Sequence, residues 1–303
     1  MSVRSYPKVY NLGHRAIRDL FLGPVAVQEK VDGSQFSFGI IDGEFAARSR
    51  NQQIEIDNCP DLFRPSLNMA LAAAERGALT PGYVYRGEAM KGARHNVLTY
   101  ERAPAGNFVL FDVDAGLEDR VGPYPLCGMA ADLGCECVPL HYVGDVSDLE
   151  EIKALVQQGS FLGGNMEGLV FKNYNRFNEQ DGKMLMGKYV TDQFREKHAK
   201  DPNWKPKTKN DILNQIGEIY CTEARWQKAI QHQSEAGALT GSPADIGPLI
   251  KEIQNDILEE CNEEIAQMFM DYYAKQLRGS FIRGFPEWYK NRLAEIQFAP
   301  EDA

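Results

Sequence analysis

The chain has 303 residues, 43% hydrophobic and 25% charged, with a formal net charge of −10. This size and composition predict a water-soluble protein of about two domains. They exclude a membrane-spanning class, because no apolar run approaches the ~18 residues that a span requires. The first fourteen residues also lack the hydrophobic segment of a secretory signal, so we expect an intracellular protein.

The cysteine and histidine content argues against a structural zinc site. Six cysteines occur without any CxxC pair, and there are only five histidines. We therefore predict reduced thiols in a cytosol and no histidine-based metal centre. The acidic net charge argues against a polyanion partner as long as it is spread evenly over the surface.

The first elements in chain order are three strands between residues 25 and 50. VAVQEK, QFSFGII and EFAARSR are predicted to form a meander, with Asp42 and Gly43 in the second turn. Lys30 ends the first strand just before an Asp-Gly turn. A Lys-x-Asp-Gly match arises by chance in roughly one chain in fifteen of this length. Because neighbouring strands of a meander pair, Arg50 is expected close to Lys30. Two cations side by side repel each other unless an anion lies between them, so this arrangement favours a phosphate pocket.

The remainder of the first half alternates irregularly between strands and helices. Helices are expected over residues 66–78, 125–133 and 148–158, the last with a capping box of Ser147 and Glu150. The strands are expected in YVYRGEAM, NFVLFDVDA, NMEGLVFKNY and KMLMGKYV. The irregular order is not typical of a doubly wound parallel fold, and no Walker-type phosphate loop is present. Any nucleotide would therefore bind at a strand-borne site.

Strand signals end at a lysine-rich stretch with two prolines, KHAKDPNWKPKTKN. Between residues 183 and 209 there are eight Lys or Arg residues against three acids, which fits a solvated linker and a phosphate-binding segment equally well. Helices are predicted over residues 211–235, from 242 onward and over 286–296. The expected division is a domain of residues 1–197, a basic linker of 198–210 and a helical domain of 211–303.

Six short motifs stand in order along the predicted strands: KVDGS, RSRN, RGE, LFDVD, MEGLVFK and LMGKY. This series resembles motifs I, Ia, III, IIIa, IV and V of the covalent nucleotidyltransferases, the superfamily of polynucleotide ligases and capping enzymes. The resemblance spans residues 25 to about 190. Helices follow it, whereas an OB-fold with short strands follows motif V in DNA ligases and capping enzymes. The chain therefore resembles the ATP-dependent RNA ligases, in particular the phage RNA ligase 2 type.

The resemblance implies an α+β fold, with an antiparallel-sheet, ATP-grasp-like nucleotidyltransferase domain followed by a small all-helical domain. It also implies residue roles. Lys30 would attack the α-phosphorus of ATP, Glu167 would bind Mg²⁺ or Mn²⁺, and Lys188 would contact phosphate; these three form the expected catalytic set. Glu88 would accept from the ribose and Phe111 would stack on adenine. The expected cofactor-binding set comprises Glu29, Lys30, Arg50, Glu88, Phe111, Glu167, Lys172 and Lys188.

One position departs from the family pattern. Motif V usually has two lysines two residues apart, and Met186 occupies the place of the first. Lys183 or Lys172 is a candidate replacement, or the metal and Lys188 act alone.

The expected partners are ATP and RNA, as a nicked duplex or as single-stranded ends, and the expected state is a monomer in the cytoplasm, with the phage resemblance suggesting a bacterial cytosol. The alternatives are an ATP-dependent DNA nick ligase, a GTP-dependent capping enzyme, and a non-catalytic protein that binds nucleotide or RNA.

Overall fold

The computed structural model describes residues 2–95, 98–116, 119–178, 182–191 and 209–297. It has the predicted α+β fold, with strands in the first part and helices after residue 209. Among the helices of the described ranges, none combines the length and the apolar character needed to cross a membrane. Residues 198–208 of the predicted basic linker lie outside the described residues, and its last two residues begin a helix.

In the described part of the chain, short 3₁₀ turns also occur at Arg15–Ile17, Ala105–Asn107, Leu155–Gln158 and Pro243–Asp245. The strands are β1 (Tyr10–Asn11), β2 (Val25–Lys30), β3 (Ser34–Ile41), β4 (Glu44–Ser49), β5 (Gln53–Ile54), β6 (Val84–Ala89), β7 (Phe108–Asp114), β8 (Glu136–Cys137), β9 (Leu140–Gly144), β10 (Gly168–Phe177) and β11 (Met184–Val190). The helices are α1 (Arg64–Glu75), α2 (Leu126–Leu133), α3 (Leu149–Ala154), α4 (Lys209–Tyr220), α5 (Glu223–Glu235), α6 (Ile246–Phe281) and α7 (Phe285–Gln297).

The strands form two mainly antiparallel sheets. The first sheet has the order β1-β11-β10-β2-β9 and the second the order β5-β4-β3-β6-β7-β8. The predicted meander is therefore wrong at its first turn, because β2 and β3 belong to different sheets. The backbone between them bonds elsewhere: the amide of Asp32 donates to the Tyr100 hydroxyl at 2.9 Å. The pairing of β3 with β4 is confirmed.

Each sheet buries one apolar face against its own helices. Phe36 and Phe38 of the second sheet pack in a core that includes Phe63 and Leu67 beside α1, together with residues of α2. The first sheet packs Val27, Leu169 and Phe171 in a second core that includes Ile152 of α3. Because side chains alternate along a strand, the opposite faces of both sheets keep polar residues.

Several predicted helix boundaries shift in the structure. The N-cap of α3 is Asp148, whose carboxylate accepts from the amides of Glu150 and Glu151, so the predicted cap at Ser147 is wrong by one residue. The helix predicted over 211–235 is two helices, interrupted at Cys221 and Thr222. A capping box at Ser242 and Asp245 starts the turn that leads into α6, where the sequence predicted a helix start.

The chain divides into two compact units, residues 1–196 with 223–249 and residues 197–222 with 250–303. Helix α5 thus belongs to the first unit, although the sequence suggested a helical domain from residue 211; that domain division stays a prediction. The second unit has its own core around Ile219, Tyr220 and Met268.

One pair of cysteines departs from the predicted set of reduced thiols. A disulfide joins Cys127 and Cys137, because the start of α2 and strand β8 bring their Cα atoms to 5.3 Å.

Candidate active site

The polar face of the first sheet is set by its register. Lys30 on β2 lies opposite Gly168 on β10, and Val170 lies opposite Lys188 on β11. Residues directly opposite each other in a ladder project from the same face. Lys30, Lys172, Met186 and Lys188 therefore share one face, and Gly168 between them is required because a Cβ there would overlap the Tyr189 carbonyl.

Lys30 forms an ion pair with Glu167, the residue just before β10. Its Nζ lies 2.7 Å from Oε2 and 2.6 Å from Oε1 of that carboxylate. Burial acts to lower the pKa of Lys30, but the carboxylates of Glu167, Glu88 and Asp32 together raise it above its ordinary value. Burial also raises the pKa of Glu167 to about 7, against the opposing charges of Lys30 and Lys188. Sequence analysis proposed both residues for the site, and the structure brings them together.

Glu88 reaches the same region from the second sheet. Gly33 packs directly against it, since a Cβ on Gly33 would lie 2.7 Å from Glu88 Cβ and 3.3 Å from its Oε2. Burial raises the pKa of Glu88 to about 8, opposed by the charge of Lys30. Gly87, the residue before Glu88, has a packing role in the core, because a Cβ there would overlap the ring of Phe108.

The turn after Lys30 is fixed by two hydrogen bonds. The Asp32 carboxylate accepts from the backbone amide of Leu98 at 2.7 Å, and its own amide donates to the Tyr100 hydroxyl at 2.9 Å. Sequence reasoning recognised Asp32 as a turn residue but missed Tyr100. Nothing in the local pattern around Tyr100 marks it, because the contact joins segments 68 residues apart.

Phe111 is half-buried and is supported by a network of charged side chains. The Lys172 ammonium donates to the Phe111 carbonyl at 2.7 Å and lies 3.3 Å from the Asp112 carboxylate. Arg120 reaches the same carboxylate at 2.7 Å, and the Tyr6 hydroxyl donates to it at 2.8 Å. Burial lowers the pKa of Lys172, although Asp112 opposes that effect. Tyr6 and Arg120 were missed by sequence reasoning.

Met186 is fully buried at the position where the family has a lysine. The Tyr6 hydroxyl lies 3.1 Å from its sulfur, and Lys172 is its direct partner across the ladder. Of the suggested replacements, Lys172 points into the Asp112 network with 1% of its surface exposed. Lys188, in contrast, is close enough to Glu167 to lower that carboxyl's pKa.

The two remaining expected site residues, Glu29 and Arg50, have different surroundings. The Glu29 carboxylate is on the other side of β2, where it accepts from the Ser160 hydroxyl at 2.5 Å and the Phe161 amide at 3.1 Å. Any nucleotide contact of Glu29 would therefore use its main chain. Arg50 is exposed after β4 and acts electrostatically on Glu235 of α5. Its expected position beside Lys30 relied on pairing of β2 with β3, and that reasoning was wrong.

The Glu167 carboxylate suits a metal ion that is also coordinated by a bound ligand. Within the described ranges, no group of three or more His, Cys, Asp or Glu side chains has a metal-binding arrangement. Mg²⁺ is often held by only one or two carboxylates together with substrate phosphates. The single carboxylate of Glu167 fits that pattern.

Comparison with known families identifies the class. The model of the family described as RNA ligase matches residues 23–190, more than half of the chain. The chain belongs to the RNA ligase family. The matched segment contains Lys30, Glu88, Glu167 and Lys188 and ends with β11. A comparison with curated proteins found no significant match.

Solved structures that match the chain include a putative ATP-dependent DNA ligase from Aquifex aeolicus, at 14% identity and a TM-score of 0.44, covering 94% of this chain and 68% of that one. An archaeal ATP-dependent RNA ligase has 17% identity and a TM-score of 0.45, covering 86% and 65%. A mutant of the Naegleria gruberi RNA ligase with ATP and Mn has 17% identity and a TM-score of 0.44, covering 63% and 57%. The chain thus spans between 57% and 68% of these three proteins.

Proposed function

We propose that the protein is an ATP-dependent RNA ligase that joins 5′-phosphate and 3′-hydroxyl ends through an AMP bound covalently to Lys30. One observation carries the proposal: the Lys30 amine contacts the Glu167 carboxylate at 2.6 Å, on a sheet face that also holds Lys188. A nucleophilic lysine beside a carboxylate and a second cation is a suitable arrangement for nucleotidyl transfer.

In the first step the neutral amine of Lys30 attacks the α-phosphorus of ATP. The bond between nitrogen and phosphorus forms while the bond from that phosphorus to the bridging oxygen breaks, and pyrophosphate leaves with the electron pair. The ammonium must first lose a proton, and Glu167 is its nearest acceptor, with a pKa raised by burial to about 7. Lys188 supplies positive charge for the phosphates.

Glu167 also determines how readily Lys30 loses that proton. Its charged carboxylate keeps the lysine as an ammonium, whereas burial alone favours the neutral amine. A Mg²⁺ or Mn²⁺ ion held by Glu167 and by the phosphates of the nucleotide would neutralise this carboxylate and so favour the reactive amine.

Two side chains of the second sheet are assigned to the nucleoside. The ring of Phe111 is half-buried, and the Phe111 carbonyl accepts a hydrogen bond from Lys172. A ring supported in this way suits stacking on adenine. We assign Glu88 to accept from the ribose hydroxyls, and its position beside the turn that follows Lys30 supports this assignment. Arg50 and the main chain of Glu29 remain candidates for contacts farther from the reacting atoms.

The two later steps follow from the chemistry of the lysyl-AMP. A 5′-phosphate of the RNA displaces Lys30 and takes up AMP, which makes AMP the leaving group when a 3′-hydroxyl attacks. We expect Glu167 and Lys188 to serve the second displacement as well, because it occurs at the phosphorus bonded to Lys30. We expect a monomer to carry out these steps on nicked duplexes or single-stranded ends in the cytoplasm.

The proposal is tested by incubating the full chain with α-labelled ATP and Mg²⁺, followed by denaturing electrophoresis. Label on the wild type and none on Lys30→Ala is expected. The same incubation with labelled GTP should give no adduct. Nicked substrates with RNA or DNA at the 3′-hydroxyl side then define the substrate class. Equal sealing of all-DNA nicks would favour a DNA ligase, and the absence of label from ATP would favour a protein that only binds nucleotide.

A further inference from the structure

Helix α5 contacts the turn that follows Lys30, although 198 residues separate the bonded side chain and backbone group. The side-chain amide of Gln231 donates to the carbonyl of Gly33 at 2.9 Å. It also donates to the Glu235 carboxylate one helical turn later, at 2.8 Å. Both N–H bonds of the Gln231 amide are therefore used, one toward the turn and one toward Glu235.

Ser34 extends this contact to a second loop. The side chain of Glu235 is hydrogen-bonded to Ser34, and the Ser34 hydroxyl lies 2.9 Å from Nε2 of His95. Because Nδ1 of His95 accepts from the Lys91 amide at 2.9 Å, the proton of the neutral ring is assigned to Nε2. His95 then donates to Ser34, and Ser34 donates to Glu235.

Helix α5 contacts this turn through polar side chains, where a helix usually presents apolar ones. Glu235, which bonds Ser34, is among the buried residues of α5 and is only 3% exposed. Burying a carboxylate is costly unless it is hydrogen-bonded. The contact therefore depends on the specific partners Ser34 and Gln231, and hydrophobic packing alone does not explain it.

The turn held by α5 is also bounded on its other side. Gly33 packs against Glu88 with no room for a Cβ, and Asp32 is fixed by Leu98 and Tyr100. A displacement of Gly33 or Ser34 would therefore move Lys30, the last residue of β2. Reaction at phosphorus depends on alignment to within a fraction of an ångström.

We propose that Gln231 and Glu235 are positioning residues for Lys30, and that helix α5 sets the rate of lysyl-AMP formation by holding the Gly33–Ser34 backbone. This inference rests on the proposed function. It assigns a role in the first chemical step to a helix that follows the lysine-rich stretch in sequence, whereas the family match ends at residue 190.

The test measures single-turnover formation of lysyl-AMP with the full chain, α-labelled ATP and Mg²⁺. The variants are Gln231→Ala, Glu235→Ala and Glu235→Gln, and Glu223→Ala is the matched control, an exposed glutamate on the same helix. The rate constant reports alignment in folded molecules, while the amplitude reports how many molecules are folded.

We expect Gln231→Ala to lower the rate constant at saturating ATP by about tenfold, the effect of losing one well-formed hydrogen bond. Glu235→Ala should lower it at least as much, and Glu235→Gln should recover part of the loss because its amide oxygen still accepts from Ser34. The ATP concentration for half-maximal rate should stay within about twofold of the wild-type value. The rate constant of Glu223→Ala should match that of the wild type.

Two results would overturn the proposal in distinguishable ways. If the wild type is labelled and both alanine variants keep its rate constant while losing only amplitude, then α5 has a merely structural role and this inference fails alone. If the wild type forms no lysyl-AMP, the proposed function fails and this inference fails with it.

Discussion

The ammonium of Lys172 donates to the backbone carbonyl of Phe111 at 2.7 Å. Both residues belong to the expected nucleotide-binding set, yet the contact joins one side chain to the backbone of the other. Lys172 has 1% of its surface exposed and Asp112 none. This geometry gives Lys172 the role of holding the strand that carries the Phe111 ring, and any effect on nucleotide binding would be indirect.

Replacing Lys172 by methionine should therefore reduce the free energy of unfolding. Removing one partner of a buried ion pair costs about 3–5 kcal/mol when the remaining charge is left without compensation. Arg120 and Tyr6 still contact the Asp112 carboxylate in this variant, so we expect a smaller loss, about 1–3 kcal/mol. Urea denaturation measures the change. Lys153→Met is the control, since its partner Glu150 is 80% exposed and such pairs contribute less than about 1 kcal/mol. Unchanged stability of Lys172→Met with weakened ATP binding would instead indicate direct phosphate contact.

The Glu167→Gln variant tests the ion pair at Lys30. Glutamine keeps the size and an acceptor oxygen but removes the charge that raises the pKa of Lys30. We expect the rate of lysyl-AMP formation to fall by about a hundredfold or more, because the variant loses both the proton acceptor and the metal-binding carboxylate. The pKa of Lys30 should decrease, because burial then dominates. The pH dependence of Lys30 modification by an amine-directed reagent measures that pKa. Glu150→Gln serves as control, and wild-type adenylation by Glu167→Gln would contradict the assigned role.

The Phe111→Leu variant tests the stacking assignment. Loss of an aromatic ring against a base costs about 1–3 kcal/mol, so the KM for ATP should increase roughly tenfold or more. The rate at saturating ATP should change little, because Phe111 does not contact the reacting atoms in the proposed arrangement. Phe177→Leu is a suitable control, being 46% exposed at the end of β10. An unchanged KM in Phe111→Leu would mean that adenine binds elsewhere.

His95 should make the folded state sensitive to mild acid. Burial lowers its pKa to about 4, from an ordinary value of 6.5. Between pH 6.5 and 4 the unfolded chain binds a proton that the native state does not, so stability decreases as the pH falls, by up to about 1.4 kcal/mol per pH unit. NMR titration of the ring measures the pKa. His95→Gln should lose this part of the pH dependence, and a titration midpoint near 6.5 would rule the explanation out.

The sequence alone predicted most of the local structure but not how the sheets assemble. Alternation identified β2, β3 and β4, yet it cannot tell whether consecutive strands pair, because that depends on where the turn forms its hydrogen bonds. The Asp32 carboxylate and amide bond to Leu98 and Tyr100, and this directs β3 into the other sheet. The proximity of Lys30 and Glu167 then follows from pairing of β2 with β10, which no local pattern contains.

The candidate site was predicted best where a motif carries chemistry in its own residues. Lys30, Glu88, Glu167 and Lys188 were named from their motifs, and the structure brings them near one another, while their roles stay predictions. The supporting residues were missed, because Tyr6, Arg120 and Gln231 act through contacts between distant segments and have no distinctive neighbours in sequence. Arg50, which was expected close to Lys30, influences Glu235, an interaction that depends on where α5 docks.

The most direct test of the account is to locate the adduct within the chain. After incubation with ATP and Mg²⁺, proteolysis and mass spectrometry should find AMP on the peptide that contains Lys30 and on no other lysine, and the adduct should disappear when pyrophosphate is added in excess, because the first step is reversible. AMP attached to another residue, or a chain that binds ATP without any covalent adduct, would contradict the central claim.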